Sequence, residues 1–308
     1  MTTATGAPSA FALGAPTSRP RRRPRALIAP YLFLAPFFVS FLAFFAIPSV
    51  VSLGLSLFRY RGYGELRFIG LDNYSALFSS PTFWQQVQNT LFYWLVPLVP
   101  MMGLAFLLAL MVRSRLAALG RIYKPLLFIP QIMAPVAAAI VWRVILSREG
   151  VVNDIFGLEV GWLSDPATAR WSVAALLVWR SLGWYFVIFL AALTSISDDV
   201  LEAAEVDGAG PAARVRYMII PLMRPIFLFA IVIDTIGSIQ LFAEPNLLLG
   251  TGASAVAPPT GAPIMNQVVS NVSGGQFGLA SAAGWIIFAA IGAISIIQFR
   301  VLRSGDRS

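Results

Sequence analysis

Four charged residues, Arg143, Arg180, Asp234 and Glu244, fall inside long apolar runs of this chain. A charge at the centre of a bilayer costs about 2.5–3.5 kcal/mol, so such groups pair with one another or face a wet cavity. The spacing predicts a cross-span pair Arg180–Asp234, with Arg143–Glu244 as a second pair nearer the ends of their runs. The alternative is that these side chains line a path through the protein. Trp184, Tyr185 and Gln240 lie at a similar depth and would offer aromatic faces and hydrogen-bonding groups to a hydroxyl-bearing ligand. Packing of those rings against other helices or lipid is the competing reading. The candidates for a substrate path are therefore Arg180, Trp184, Tyr185, Asp234, Gln240 and Glu244.

Covalent chemistry is poorly served. The chain has no Cys and no His in 308 residues. That rules out disulfides, Cys/His zinc sites and catalysis by a Cys or His nucleophile or base. The only lysine, Lys124, follows Gly120, Arg121, Ile122 and Tyr123, which is no phosphate-binding loop. No catalytic residue, no metal site and no cofactor bound by this chain is expected.

The elements that must carry these residues are membrane helices. The chain is 58% hydrophobic and only 12% charged, against about 25% charged in a soluble domain. Apolar runs predict six spans near 32–56, 89–112, 125–146, 171–194, 225–248 and 278–299. Pro30, Pro36 and Pro48 are expected to divide the first run. Residues 1–25 are rich in Ala, Pro, Ser and Thr, end in an arginine cluster, and read as a disordered basic tail. Fifteen of the 22 Lys and Arg residues fall on one side of these spans and five on the other. The positive-inside rule then places both termini in the cytoplasm. The net charge of +8 lies mostly beside spans, so nucleic acid is not an expected partner.

One polar island breaks the pattern, between the fourth and fifth spans. It reads EAAEVDGAGPAARVRYMIIPLMRP over residues 202–225. Asp199 with Glu202 three residues on could cap a first helix. Gly208 would end it in a left-handed turn. Pro211 suits the start of a second helix, and Pro221 is expected to stop it. Each helix would be about 8 residues and 12 Å long, joined through Gly208, Ala209 and Gly210.

This island resembles the signature of the membrane subunits of bacterial ABC importers: E-A-A, three residues, Gly, nine residues, then I-x-L-P. Here it runs through Glu202, Ala203, Ala204, Gly208, Met218, Ile220 and Pro221, with Met218 and Ile220 as conservative departures. The VDGAG and PLMRP stretches, and FIGLDNY at 68–74, look like the carbohydrate-uptake branch. The Trp179–Arg180 pair resembles a feature of the same branch.

The resemblance implies an all-α polytopic membrane protein with six transmembrane helices, the transmembrane domain of a type I ABC importer over 26–308. Its cytoplasmic coupling helix would lie in segment 197–225. It implies ATPase-coupling roles for Glu202, Ala203, Ala204, Asp207, Gly208, Ala209 and Pro221. It implies as partners a second permease subunit, expected to be a non-identical paralogue, an ABC ATPase dimer holding ATP and Mg, an extracytoplasmic solute-binding protein and the lipid bilayer. The setting would be the bacterial inner membrane. The expected function is a non-catalytic permease subunit for a sugar or polyol. Two alternatives stand beside it: import of glycerol 3-phosphate or glycerophosphodiesters, with Arg180 and Arg143 meeting the phosphate, and an ion-driven secondary transporter using Asp234 and Glu244.

Overall fold

The computed structural model describes residues 25–113, 120–250 and 256–304. The expected tail therefore lies, up to Pro24, outside the described residues. The backbone divides into two units, Met1–Val51 and Ser52–Ser308.

The helix α1 (Arg25–Phe41) runs into a five-residue π turn, Leu42–Ala46, and on into α2 (Ile47–Leu55), whose last four residues belong to the second unit. The prolines do not divide this helix. Pro36 is absorbed within α1, and the wide turn sits just before Pro48. Pro48 has no N–H to give the preceding turn, and widening that turn accommodates the loss.

After α2 comes a short hairpin, β1 (Phe58–Arg59) antiparallel to β2 (Arg67–Phe68), with Phe58 opposite Phe68. The helix α3 (Asp72–Phe78) follows. The FIGLDNY stretch folds back here. Asn73 Nδ2 donates to the carbonyls of Ser56 (2.8 Å) and Phe58 (3.0 Å), and the Tyr74 hydroxyl meets Ser56 Oγ at 2.7 Å.

Long helices then build the bundle. They are α4 (Pro81–Arg113), the pair α5 (Gly120–Ile132) and α6 (Pro135–Ile145), the short α7 (Val151–Phe156), and α8 (Pro166–Thr194). Asp165 starts α8 by accepting from the Ala167 amide at 2.9 Å, with Pro166 at the first helical position. After α8 come α9 (Asp198–Val206), α10 (Pro211–Arg214), a π turn at Val215–Ile219, α11 (Ile220–Leu222) and α12 (Arg224–Ile239). The chain closes with α13 (Ala243–Leu249), α14 (Met265–Ser273) and α15 (Phe277–Ser304).

Among the described residues four helical stretches are long and apolar enough to cross a membrane: Leu32–Leu55, Pro81–Arg113, Pro166–Thr194 and Phe277–Val301. Two bent pairs raise the number to six if each counts as one span. Pro125–Ile132 meets Pro135–Ile145 at 104°, and Pro211–Leu222 meets Arg224–Ile239 at 64°. Two expected spans are thus not continuous. The third breaks at Met133–Ala134, just before Pro135, where the residue preceding a proline is driven out of the helical region. The fifth ends at Ile239, and Ala243–Leu249 form the separate α13.

The most extensive packing in the second unit runs between α4 and α8; α5 lies on α8, and α12 contacts both α4 and α15. Phe106, Phe189 and Phe227 join α4, α8 and α12 with ring centroids 4.9–6.1 Å apart. Small residues bring backbones close, as membrane interfaces require without a strong hydrophobic drive between helices. Ala105 and Ala109 are fully buried. Gly183 on α8 is tighter still: a Cβ there would collide with the backbone carbonyl of Leu127 on α5.

Candidate functional site

Arg180 stands at the midpoint of α8, and around it α4, α5, α8, α12 and α13 enclose a cavity of about 250 Å³. Its lining includes Arg180, Trp184, Tyr185, Asp234 and Glu244, so five of the six path candidates converge. Gln240 does not. It follows the last residue of α12, where its amide N–H bonds the Ile236 and Ser238 carbonyls, and it is exposed.

The charges pair differently from the spacing-based expectation. Arg180 Nη1 donates to Glu244 Oε1, and Asp234 forms no ion pair among the described residues. Asp234 instead accepts from the Tyr185 hydroxyl (3.2 Å, Oδ1) and, more weakly, from Ser238 (3.4 Å, Oδ2). Arg143 does not meet Glu244; its Nε donates to the Leu248 carbonyl at 3.0 Å. The cause is the break after Ile239. A continuous fifth helix would carry Glu244 more than a turn beyond Asp234. The break through Gln240–Phe242 sets the short α13 against α6 and α8. Arg180 then meets the carboxylate near the start of α13, and Arg143 meets a carbonyl near its end.

The helix α13 is fastened a third way. Asn246 and Asn266 exchange amide hydrogen bonds at 2.8 and 2.9 Å, and the Ala257 amide donates to Asn246 Oδ1 at 2.8 Å. The loop before α14 is held from α4, where Asn89 donates to the Pro259 and Ala262 carbonyls and Tyr93 to Gly261 (2.8 Å). Buried polar groups in a membrane protein need such partners.

The cavity's other surfaces are mixed. Trp184 lies nearly parallel to Phe128, with centroids 6.4 Å apart, and remains 41% exposed. Gln131, Ser181 and Ser238 add uncharged polar groups. Gln131 and Ser181 were not among the sequence candidates. A glutamine between Pro130 and Pro135 inside an apolar run was the available signal for the first; nothing in the pattern marks the second.

The second feature is the elbow after α8. At its turn Asp207 ends α9 and Gly208 takes φ +84°. The Ala209 amide bonds the Ala204 carbonyl (2.9 Å), and the Gly208 amide bonds Glu205 (3.0 Å). That is the double closure of a glycine-ended helix. Arg214 on α10 reaches back to Glu205 at 2.8 Å. Ala204 is buried, whereas Glu202, Ala203, Glu205, Val206, Asp207 and Gly208 are exposed. Beside them a shallow, mostly apolar hollow of about 470 Å³ includes Val200, Ala203, Ala204, Ala209 and Met218.

Two local expectations fail here. Asp199 is no cap: Ser197 precedes α9, and Asp198 and Asp199 both lie in its first turn. Pro221 does not stop the second helix, which continues from Pro211 through the π turn to Leu222 and bends only at Met223. The wide turn leaves room for a proline that donates no hydrogen bond.

The sequence reading missed Arg113. At the end of α4 its guanidinium donates to the Leu193 and Ile196 carbonyls and to Asp198 Oδ1 (3.0 Å). It binds carbonyls at and just past the C-terminus of α8 and ties them to the start of α9. Only its place at the end of an apolar run was visible in sequence.

The family described as "Binding-protein-dependent transport system inner membrane component" matches residues 26–305. The lactose transport system permease protein LacF of Rhizobium radiobacter is 31% identical over 283 residues, covering 89% of this chain and 93% of that protein. The arabinooligosaccharides transport system permease protein AraP of Bacillus subtilis is 30% identical, covering 89% and 88%. A chain of a bacterial alginate ABC transporter, crystallised with its alginate pentasaccharide-bound periplasmic protein, superposes with a TM-score of 0.80. It is 23% identical and covers 92% of this chain and 97% of that chain.

Proposed function

The chain belongs to the binding-protein-dependent transport system inner membrane component family, and from that premise we propose that it is a permease subunit importing a carbohydrate. Its multi-pass helices make it a membrane protein, and as a permease component it is a non-catalytic subunit. The cargo reading rests on one observation: near full-length likeness to permeases named for lactose and arabinooligosaccharides.

In this reading six spans cross over a domain of 26–308: the four long helices, the bent pair of α5 and α6, and α12, whose preceding arm Pro211–Leu222 belongs to the elbow. Both termini and the elbow lie in the cytoplasm of a bacterium, with the basic residues. The elbow is the coupling helix. Glu202, Ala203 and Asp207 present polar and small surface, Ala204 packs beneath, and Gly208 with Ala209 fixes the turn. Pro221 sits where the second rod approaches its bend. The ATP and Mg are held by a separate ATPase pair that grips the elbow. A second, non-identical permease completes the path, and a solute-binding protein delivers cargo from outside.

Mechanically, nucleotide-driven closure of the ATPases would draw two such elbows together. Arg113 bonds α8 to α9 directly, so a push on the elbow reaches the helix that carries Arg180 and Trp184. The cavity of about 250 Å³ is smaller than the 300–1,000 Å³ usual for a ligand site, as expected of one half of a shared path. An ion-driven secondary carrier is not favoured, since the family works with ATPase partners.

The test is purification of the complex with its ATPase and binding protein, followed by a panel of sugars and polyols. One or more should stimulate ATP hydrolysis and be taken up by proteoliposomes. ATP-independent uptake would refute the reading.

A further inference from the structure

The central cavity holds one guanidinium, and that guanidinium is already neutralised. Resting on the reading of this cavity as part of a carbohydrate path, we infer that it admits uncharged saccharides and turns away anionic ones, including uronate chains and sugar phosphates.

Three charged side chains line it: Arg180, Asp234 and Glu244. Arg180 and Glu244 are paired and largely withdrawn from water, with side chains 19% and 9% exposed. An incoming anion would have to compete with Glu244 for Arg180 and leave that buried carboxylate without a partner. Asp234 is held by two neutral hydroxyls, those of Tyr185 and Ser238. With these three groups ionised, the cavity's balance is therefore one negative charge.

Arg143 offers no alternative. Its side chain is tied to the Leu248 carbonyl and borders a different hollow, with Arg148 and Trp162. Within this cavity the phosphate-binding role considered for Arg180 and Arg143 thus has no guanidinium lacking a carboxylate partner, although Arg180 Nε is buried without a hydrogen-bond partner among the described residues. Gln131, Ser181, Ser238 and the half-exposed Trp184 ring supply uncharged hydrogen-bonding groups and an aromatic face, which suit neutral hydroxylated rings.

Equilibrium binding to the purified permease–ATPase complex, without the binding protein, separates the possibilities. The probes are short neutral hexose oligosaccharides and oligouronates of the same lengths. Neutral chains should bind about tenfold tighter or more. In the double variant Glu244→Gln/Asp234→Asn, Arg180 is left as the lone charge, and the preference should close or invert. Should that variant fail to assemble, ionic strength supplies the second measurement on the unaltered complex. Added salt should narrow the gap by screening the repulsion of the oligouronate. An oligouronate binding the unaltered complex as tightly as its neutral counterpart overturns the inference. Failure of both sets to bind removes the carbohydrate reading of the cavity, and this inference with it.

Discussion

Arg180 on α8 pairs with Glu244 on α13 and not with Asp234 on α12. The pair joins a central helix of the second unit to a short helix packed beside it. It also sets the electrostatics of the cavity, because it leaves Asp234 dependent on the Tyr185 and Ser238 hydroxyls.

This pairing is open to a double-mutant cycle. Removing one partner of a buried pair costs about 3–5 kcal/mol, reduced here by the partial exposure of Arg180. Arg180→Ala and Glu244→Ala should each lower the thermal stability of the purified subunit, and the double variant should recover about 1 kcal/mol or more relative to their sum. The cycle between Arg180 and Asp234 should show weaker coupling. The reverse ranking would place the carboxylates the other way round.

Gly208 occupies open space, with nothing within 4 Å of where a Cβ would stand, yet its φ is +84°. A branched residue is opposed there by backbone strain alone, about 1–2 kcal/mol. Gly208→Val should therefore reach the membrane at normal levels while ATP hydrolysis and uptake become uncoupled. Gly208→Asn should keep most uptake, since Asn tolerates the left-handed region. Normal coupled uptake in the valine variant would deny the elbow its role.

Gly183 is the opposite case. Its backbone conformation is ordinary for a helix, but an added Cβ runs into the Leu127 carbonyl. Gly183→Val must push α5 and α8 apart, at about 3 kcal/mol. Membrane accumulation of this variant should fall sharply, as read by quantitative blotting of membrane fractions. Undiminished accumulation would mean the two helices do not meet at this point.

Arg113 binds two carbonyls and a carboxylate with a planar fork. Lysine cannot reproduce that geometry. Arg113→Lys should thus resemble Arg113→Ala, with uptake reduced severalfold and ATP hydrolysis less responsive to substrate. Full rescue by lysine would reduce Arg113 to an ordinary positive charge beside a span.

Much of this was legible in the chain. Apolar run length set the helices, because backbone polar groups in hydrocarbon have few other solutions. The island at 202–225 announced its glycine turn because only a residue without Cβ takes that conformation cheaply. Gathering Arg180, Trp184, Tyr185 and Asp234 near one depth was also readable, since helical rise converts residue number into depth, whereas Glu244, ten residues past Asp234, read as lying nearer the end of its run.

Which charge meets which was not readable. Sequence distance along a straight helix paired Arg180 with Asp234, whereas the break after Ile239 let Glu244 meet Arg180. Nor did the pattern show Arg113 reaching carbonyls 80 and 83 residues away. Composition and periodicity are one-dimensional and fix where a chain must be apolar or must turn. Partner choice among a few buried charges depends on the three-dimensional path of the breaks between helices, and only the folded structure supplies that.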